Sequence, residues 1–215
     1  MHRIGPAFLL LLTVGVRIAG AQSAYVPARS TGGPLPDLPP PNTVGWIDDL
    51  VELELDAAGE VREIVPNRHT PLPADTIASA LKRWHFQPAT IDRRGVPSRV
   101  LVAALFRPPV PFNNPTPGNP PAQTATPSTE SPCPSVQQRP QYPPLGVSDA
   151  VVLVEVLVGS TGDAQNVRVV VSAGAFDQAT LDAVRRWKFR PAVRDGKPVE
   201  SYAYVIAGFR RPLAF

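Results

Sequence analysis

The sequence predicts an α+β protein built from two copies of one small module, and three observations carry that prediction. Prolines divide the chain, because most of the 28 prolines fall in residues 27–41 and 108–144. Two apolar-patterned segments remain, and they repeat each other. Trp84 and Trp187 lie 103 residues apart, and each is followed by a phenylalanine and a proline at the same spacing. A repeat of this length indicates a duplicated domain rather than a solenoid unit.

The first two strands of each module follow from alternation. Val51, Leu53 and Leu55 alternate with acidic residues, which is the period of a half-buried strand. In the second copy Gly162 lies in the following turn, and alternate valines over 167–171 indicate the second strand of a hairpin.

A helix comes next in each copy. In the second copy Thr180, Leu181, Val184 and Trp187 recur at three- and four-residue spacing, with Asp177 as the expected N-cap. A proline four residues after each tryptophan stops further helix. We therefore expect each tryptophan to fill the core over the sheet.

A last strand completes each module, over residues 99–106 in the first copy and 199–209 in the second. Gly95 and Gly196 precede it, and matching these two glycines requires two extra residues in the first copy. Each module is thus predicted to be strand–strand–helix–strand, with one helix packed on an antiparallel sheet.

The proline-rich stretches are predicted to be connectors outside the two modules. Residues 110–135 carry Glu130 as their only charge and few apolar side chains, so we expect an extended, polyproline-like conformation there. The expected boundaries are a signal peptide at 1–21, a Pro-rich segment at 22–42, module 1 at 43–108, a linker at 109–138 and module 2 at 139–212.

The N-terminus predicts an exported protein. Arg3 precedes an apolar run at 4–16, and small residues at 19–21 suit signal cleavage before Gln22. A retained membrane anchor is the alternative, although the run is shorter than the roughly 20 residues that span a bilayer. Cleavage removes both Arg3 and Arg17, and this loss lowers the formal net charge from +3 to +1. Such a charge gives no reason to expect nucleic-acid binding.

The residue types of an enzyme or metal site are sparse in this chain. His69 and His85 are the only histidines after residue 21, and no Cys/His spacing suggests a metal site. An acidic row on the first strand, Glu52, Glu54 and Asp56, is interpreted as its solvated face, with calcium binding as the alternative. We therefore expect a non-enzymatic protein without a metal or cofactor.

The single cysteine, Cys133, lies in the predicted linker. One thiol cannot form an internal disulfide, so the core must stabilise the fold. A tolerated loop thiol and an intermolecular disulfide both remain open.

The ordered motifs of the second module resemble the TonB C-terminal domain. The resemblance rests on Gln141-Tyr142-Pro143, the Val-rich hairpin, the run at 183–192 and Gly196-Lys197-Pro198-Val199, and it covers most of residues 139–210. The first module is similar from about 47 to 107 but lacks the Gln-Tyr-Pro element.

This resemblance implies a periplasmic domain that pairs with a segment of an outer-membrane transporter in transmembrane transport, coupled to an inner-membrane motor. The segment would add as a strand to an exposed sheet edge. The last strand is the edge that the family implies, with the Gln-Tyr-Pro element as a second contact. The implied partner-binding residues are Gln141, Tyr142, Pro143, Glu200, Ser201, Tyr202, Ala203, Tyr204, Val205 and Ile206.

Two departures from the family keep a second function open. An energy transducer needs an uncleaved N-terminal helix, and residues 142–151 are too few for the helix that usually precedes the first strand. The alternative is a soluble adaptor or structural protein that binds another envelope protein. Leu153 and Leu157 also leave an apolar outward face, which the linker, the first module or a second chain in a homodimer would cover.

Overall fold

A computed structural model of the protein describes residues 25–43, 45–68, 74–109 and 128–212. The predicted signal peptide at 1–21, His69 and the central linker residues 110–127 lie outside the described residues. Within the described ranges, no helix has the length and apolar character needed to cross a membrane.

The fold is α+β, with strands predominating. The described elements of the first half are β1 (Tyr25–Val26), β2 (Arg29–Gly32), β3 (Ile47–Leu55), β4 (Val61–Arg68), α1 (Ala74–Leu81), β5 (His85–Gln87), β6 (Ala89–Ile91), β7 (Arg94–Val96) and β8 (Ser98–Arg107). Those of the second half are β9 (Cys133–Val136), β10 (Ala150–Val158), β11 (Ala164–Val171), α2 (Ala175–Val184), β12 (Lys188–Arg190), β13 (Ala192–Arg194), β14 (Lys197–Val199) and β15 (Ser201–Phe209).

The N-cap of helix α2 lies three residues before the expected cap, Asp177. Gly174 occupies the N-cap position, and Asp177 lies in the first turn. The Asp177 carboxylate accepts a hydrogen bond from the N–H of Ala173 at 2.8 Å, so it still stabilises the start of the helix.

The two halves keep one spacing throughout. Strands β5 and β12, β6 and β13, and β7 and β14 are each offset by 103 residues. The expected insertion before Gly95 is therefore wrong. Asp92 and Arg93, with φ of 50° and 66°, occupy the same turn as Asp195 and Gly196, with φ of 50° and 72°. Because Arg93 adopts a left-handed conformation that favours glycine, aligning the two glycines gave a false register.

The halves share one six-stranded sheet in the order β11-β10-β15-β8-β3-β4. Strands within each half are antiparallel, whereas β15 and β8 pair in parallel from Ala203↔Leu101 to Phe209↔Arg107. We call this β8–β15 contact the seam. The expectation of two separate modules on a flexible linker is therefore wrong, because main-chain pairing across the seam joins both halves into one sheet.

A parallel seam between equivalent strands places the two helices on opposite faces of the sheet. On one face Trp84 shares a core cluster with Tyr204 and Ile206 of the second half. On the other face Trp187 shares a cluster with Leu101 of the first half. Both tryptophans are 1% exposed, which confirms that they are core residues.

Parts of both predicted connectors fold onto the sheet. We call residues 25–40 the first strap and residues 128–139 the second strap. Strands β1 and β2 pair with β6 and β5 of the first half, and β9 pairs with β12 of the second. Cys133 is therefore buried in a strand and is not a loop thiol. The first strap also packs in the cluster that contains Leu153, so this part of the apolar outward face is covered from within the chain, whereas Leu157 stays half-buried.

Candidate functional site

The strand that the resemblance marked as the binding edge lies inside the sheet. β15 pairs with β10 from Ser201↔Val158 to Phe209↔Ala150, and with β8 on its other side. Its main-chain groups already serve two ladders. The expected free edge is therefore wrong for Ala203, Tyr204, Val205 and Ile206, which pair on both sides. Ser201 and Tyr202 pair with β10, and Glu200 directly precedes β15.

Tyr204 shows what this strand does instead. Its ring meets Trp84 edge-on, with centroids 5.6 Å apart. Its hydroxyl accepts a hydrogen bond from the N–H of Ser30 at 2.6 Å and lies 3.3 Å from Oε2 of Glu155, to which it donates. Burial raises the pKa of Tyr204, so the hydroxyl remains protonated and can donate. Tyr204 thus fastens the first strap to the core.

The Gln-Tyr-Pro element packs against the start of α2. The ring of Tyr142 is T-shaped against Phe176, with centroids 5.2 Å apart, and its hydroxyl donates to the carbonyl of Ser148 at 2.8 Å. Pro143 is buried, whereas Gln141 is exposed. Of these three residues, Gln141 is the most exposed, and Tyr142 is half-buried.

Glu155 is a buried carboxylate that holds the first strap against the second half. Nε and Nη2 of Arg29 donate to it at 3.1 and 2.9 Å, and Nε of Arg168 donates at 2.6 Å. Burial raises the pKa of Glu155, but the hydrogen bonds from Arg29 and Arg168 outweigh burial, so the pKa lies below its usual value. The carboxylate is therefore charged at neutral pH and compensated on both sides.

Glu52 occupies the equivalent position in the first half and is 1% exposed. The hydroxyl of Ser131 and the N–H of Ser128, both in the second strap, donate to its carboxylate. Nη1 of Arg99 lies 3.6 Å from Oε2. The interpretation of the acidic row as a solvated face is thus wrong for Glu52. Each strap pairs with its own half and caps the buried glutamate of the other half.

The tryptophans also anchor the straps. Nε1 of Trp84 donates to the carbonyl of Pro34 at 2.8 Å, and Nε1 of Trp187 donates to the carbonyl of Gln138 at 2.9 Å. Both straps are therefore fixed from two sides, and they hold the halves together across the seam.

The described sheet ends at two outer strands, β4 and β11. Within the described part of the chain, each pairs with a single neighbour, β3 for β4 and β10 for β11. Any extended segment that joins this sheet without opening it must add at β4 or β11. One of these outer strands, β11, carries a signal in the sequence, because the Val-rich stretch at 167–171 has neither proline nor an acidic residue.

Metal chemistry has no obvious site in the part of the chain that the structure covers. No group of three or more His, Cys, Asp and Glu side chains there could hold an ion. His85 is exposed on β5.

Comparison with known proteins gives a family match for the second half. Residues 138–210 match the sequence model of the family described as Gram-negative bacterial TonB protein C-terminal. The chain is 30% identical over 81 residues to Protein TonB of Vibrio cholerae serotype O1, which covers 35% of this chain and 33% of that protein. It is 36% identical over 76 residues to Protein tonB2 of Pseudomonas aeruginosa, which covers 33% of this chain and 28% of that protein. The chain thus spans about a third or less of these curated relatives, and no solved structure matches it.

Proposed function

We propose that this chain is a TonB-type protein of the periplasm that binds an extended segment of an outer-membrane protein in transmembrane transport. The family match over residues 138–210 carries the proposal, because it spans the sheet of the second half from β10 through β15. The relatives named TonB and tonB2 support the same class of function. In this proposal the first half is a divergent second copy of the same domain, which its equal element spacing supports.

Strand addition is the proposed mode of binding. An extended peptide gains affinity from main-chain hydrogen bonds to an unpaired edge and specificity from alternate side chains. Because β8 fills the edge of β15, the partner segment would join an outer strand of the sheet. Exposed Gln141 remains a candidate for a second contact.

The seam favours a second candidate function, that of an envelope adaptor without energy transduction. The chain's own β8 lies along the strand that the family resemblance marks as the partner's place. Mass spectrometry of the N-terminus separates the two candidates. A chain that begins at Gln22 favours the adaptor, and a retained N-terminal anchor favours energy transduction.

Calorimetric titration tests partner binding itself. The purified mature chain would be titrated with synthetic peptides that cover the periplasm-facing N-terminal segments of the host's outer-membrane transporters. We expect one or more peptides to bind, and we expect N-methylation of one alternate set of amides to abolish binding while the other set has little effect. Only every second N–H of an added strand faces the protein.

Two outcomes would contradict this function. If no peptide binds, the chain does not recognise such segments. If both N-methylated sets bind like the parent peptide, recognition uses side chains and strand addition is wrong.

A further inference from the structure

We propose that β11 is the edge that accepts the partner strand and that Pro66, together with the exposed charges of β4, closes β4 to addition. This inference rests on the proposed function and assigns it to one surface. The accepted segment would be extended, uncharged and apolar, and it would add alongside residues 164–171.

The two outer strands are equivalent in position, so they can be compared residue by residue. β4 and β11 each have eight residues and are offset by 103. Their ladders share irregularities at equivalent places, between Leu50 and Val51 in one half and between Leu153 and Val154 in the other. Immediately after this irregularity, Pro66 pairs with Val51. A difference in binding between these edges must therefore come from side chains and from proline rather than from topology.

Strand β4 carries the features that protect an edge. Its sequence VREIVPNR contains a proline and two exposed charged residues, Arg62 and Glu63, whereas its third charge, Arg68, is buried and paired with Asp48. Proline has no N–H to donate, and charges and prolines on edge strands prevent pairing with other chains.

Strand β11 lacks these features. Its sequence AQNVRVVV has no proline and a single charge, Arg168. That charge is already compensated, because Nε of Arg168 lies 2.6 Å from Oε1 of buried Glu155. An unprotected edge with high β-propensity is the kind of edge to which another strand adds.

Exposed apolar side chains mark the same end of the second half. Among the described residues, four of the six large exposed apolar side chains are Leu145, Val147, Val170 and Val171, with exposed fractions of 84%, 74%, 37% and 37%. Val171 pairs with Leu153 near the start of β10, and residues 145–147 end three residues before that strand begins. The charges of the edge and the loop, Arg168 and Asp149, are paired within the chain, so the apolar side chains suit an uncharged, apolar segment.

A partner segment fits this edge better than a second copy of the chain. Two copies joined through β11 would share one eight-residue strand each. Stable protein interfaces use about 20–30 residues a side, so such a dimer would be weak. A short extended segment needs little beyond the ladder bonds and the adjoining apolar side chains.

Val169 offers a matched test, because it is the equivalent of Pro66. Val169 pairs with Val154 as Pro66 pairs with Val51. A proline in an edge strand is tolerated where its nitrogen faces away from the neighbouring strand. The N–H of Val169 thus faces outward, and Val169→Pro removes one outward donor while it preserves the β10–β11 ladder.

The experiment titrates the transporter-segment peptides into the full mature chain and into its Val169→Pro and Pro66→Val variants. We expect Val169→Pro to weaken binding roughly tenfold or more, since the ladder loses a bond and the ring blocks the edge. Pro66→Val should leave the affinity unchanged. Thermal unfolding of each variant shows whether the sheet is intact. A benzophenone photo-crosslinker in place of Asn166 gives a readout that does not depend on proline. Glu63, the equivalent exposed position on β4, carries the same crosslinker as the control.

The outcomes distinguish failure of the β11 assignment from failure of the proposed function. Weak binding by folded Val169→Pro, with crosslinks from position 166 and not from 63, supports β11. Backbone-dependent binding that survives Val169→Pro, or crosslinks from 63 alone, overturns β11 and leaves the function standing. Absence of peptide binding to the wild-type chain overturns both. A wild-type dimer in sedimentation that Val169→Pro dissociates assigns the edge to a second copy and overturns the partner segment.

Discussion

Nη2 of Arg29 lies 2.9 Å from Oε1 of Glu155, a residue 126 positions further along the chain. The contact joins the first strap to the second half, although the strap pairs with the first half through β1 and β2. Folding of the N-terminal strap is therefore coupled to folding of the second half.

Removing the guanidinium should destabilise the whole chain. Arg29→Ala leaves a buried carboxylate with fewer donors, although Arg168 still compensates it. We expect the unfolding free energy to fall by about 1–2 kcal/mol in urea denaturation. Arg62→Ala is the control, because its pair with Asp56 is exposed, with Arg62 at 69%, and should change stability by less than about 1 kcal/mol. Equal effects of the two variants would contradict a specific role for the Arg29 contact.

Acid should weaken the same contact. The pKa of Glu155 is lowered in the folded chain, so its contribution to stability is complete above its unfolded-state pKa of about 4.3 and is lost as pH falls through the lower folded-state pKa. We expect the melting temperature of the wild-type chain to exceed that of Glu155→Gln by a constant margin between about pH 5 and about pH 7. The margin should shrink below about pH 4. A margin that grows on acidification would contradict this assignment.

The tryptophans should stabilise one cooperative unit. Trp187→Ala and Trp84→Ala each remove a ring that is 1% exposed, at a cost of about 3–5 kcal/mol. Because the seam joins the halves, we expect each variant to shift a single common transition, followed by far-ultraviolet circular dichroism in urea. Two transitions, of which only one moves, would show that the halves unfold independently.

Cleavage of the linker between the two halves should leave the halves associated. If a protease site inserted between Pro109 and Ser128 is cleaved, the parallel seam and both straps still hold the fragments together. We expect the cleaved chain to elute as one species in gel filtration and to separate only in denaturant. Separation in native buffer would contradict the continuous sheet.

Local features of this fold could be predicted from sequence because they have local signals. The 103-residue spacing, a strand over residues 51–55 and the core position of Trp187 all correspond to structure, although α2 ends at Val184, before that tryptophan. The two copies were aligned in a wrong register at Arg93, because a residue in a left-handed turn is usually glycine and an arginine there gives no such signal.

The seam is a long-range feature, and alternation could not reveal it. A signal was nevertheless present, because residues 100–106 and 203–209 are almost uninterrupted apolar runs. Such runs are typical of strands buried on both faces. Glu52 and Glu155 could not be identified as buried, because each accepts hydrogen bonds from a strap far away in sequence.

The strands of the sheet lie along a common axis, and this arrangement has a mechanical consequence. A pulling force parallel to a segment bound along β11 would load all of its ladder hydrogen bonds at once in shear. The bonds would not break one at a time. The next ladders, from β10 to β15 and across the seam to β8, lie parallel to the same line of force. Load applied at one edge would thus spread over the entire sheet, with the charged contact between Arg29 and Glu155 bracing the two halves against sliding.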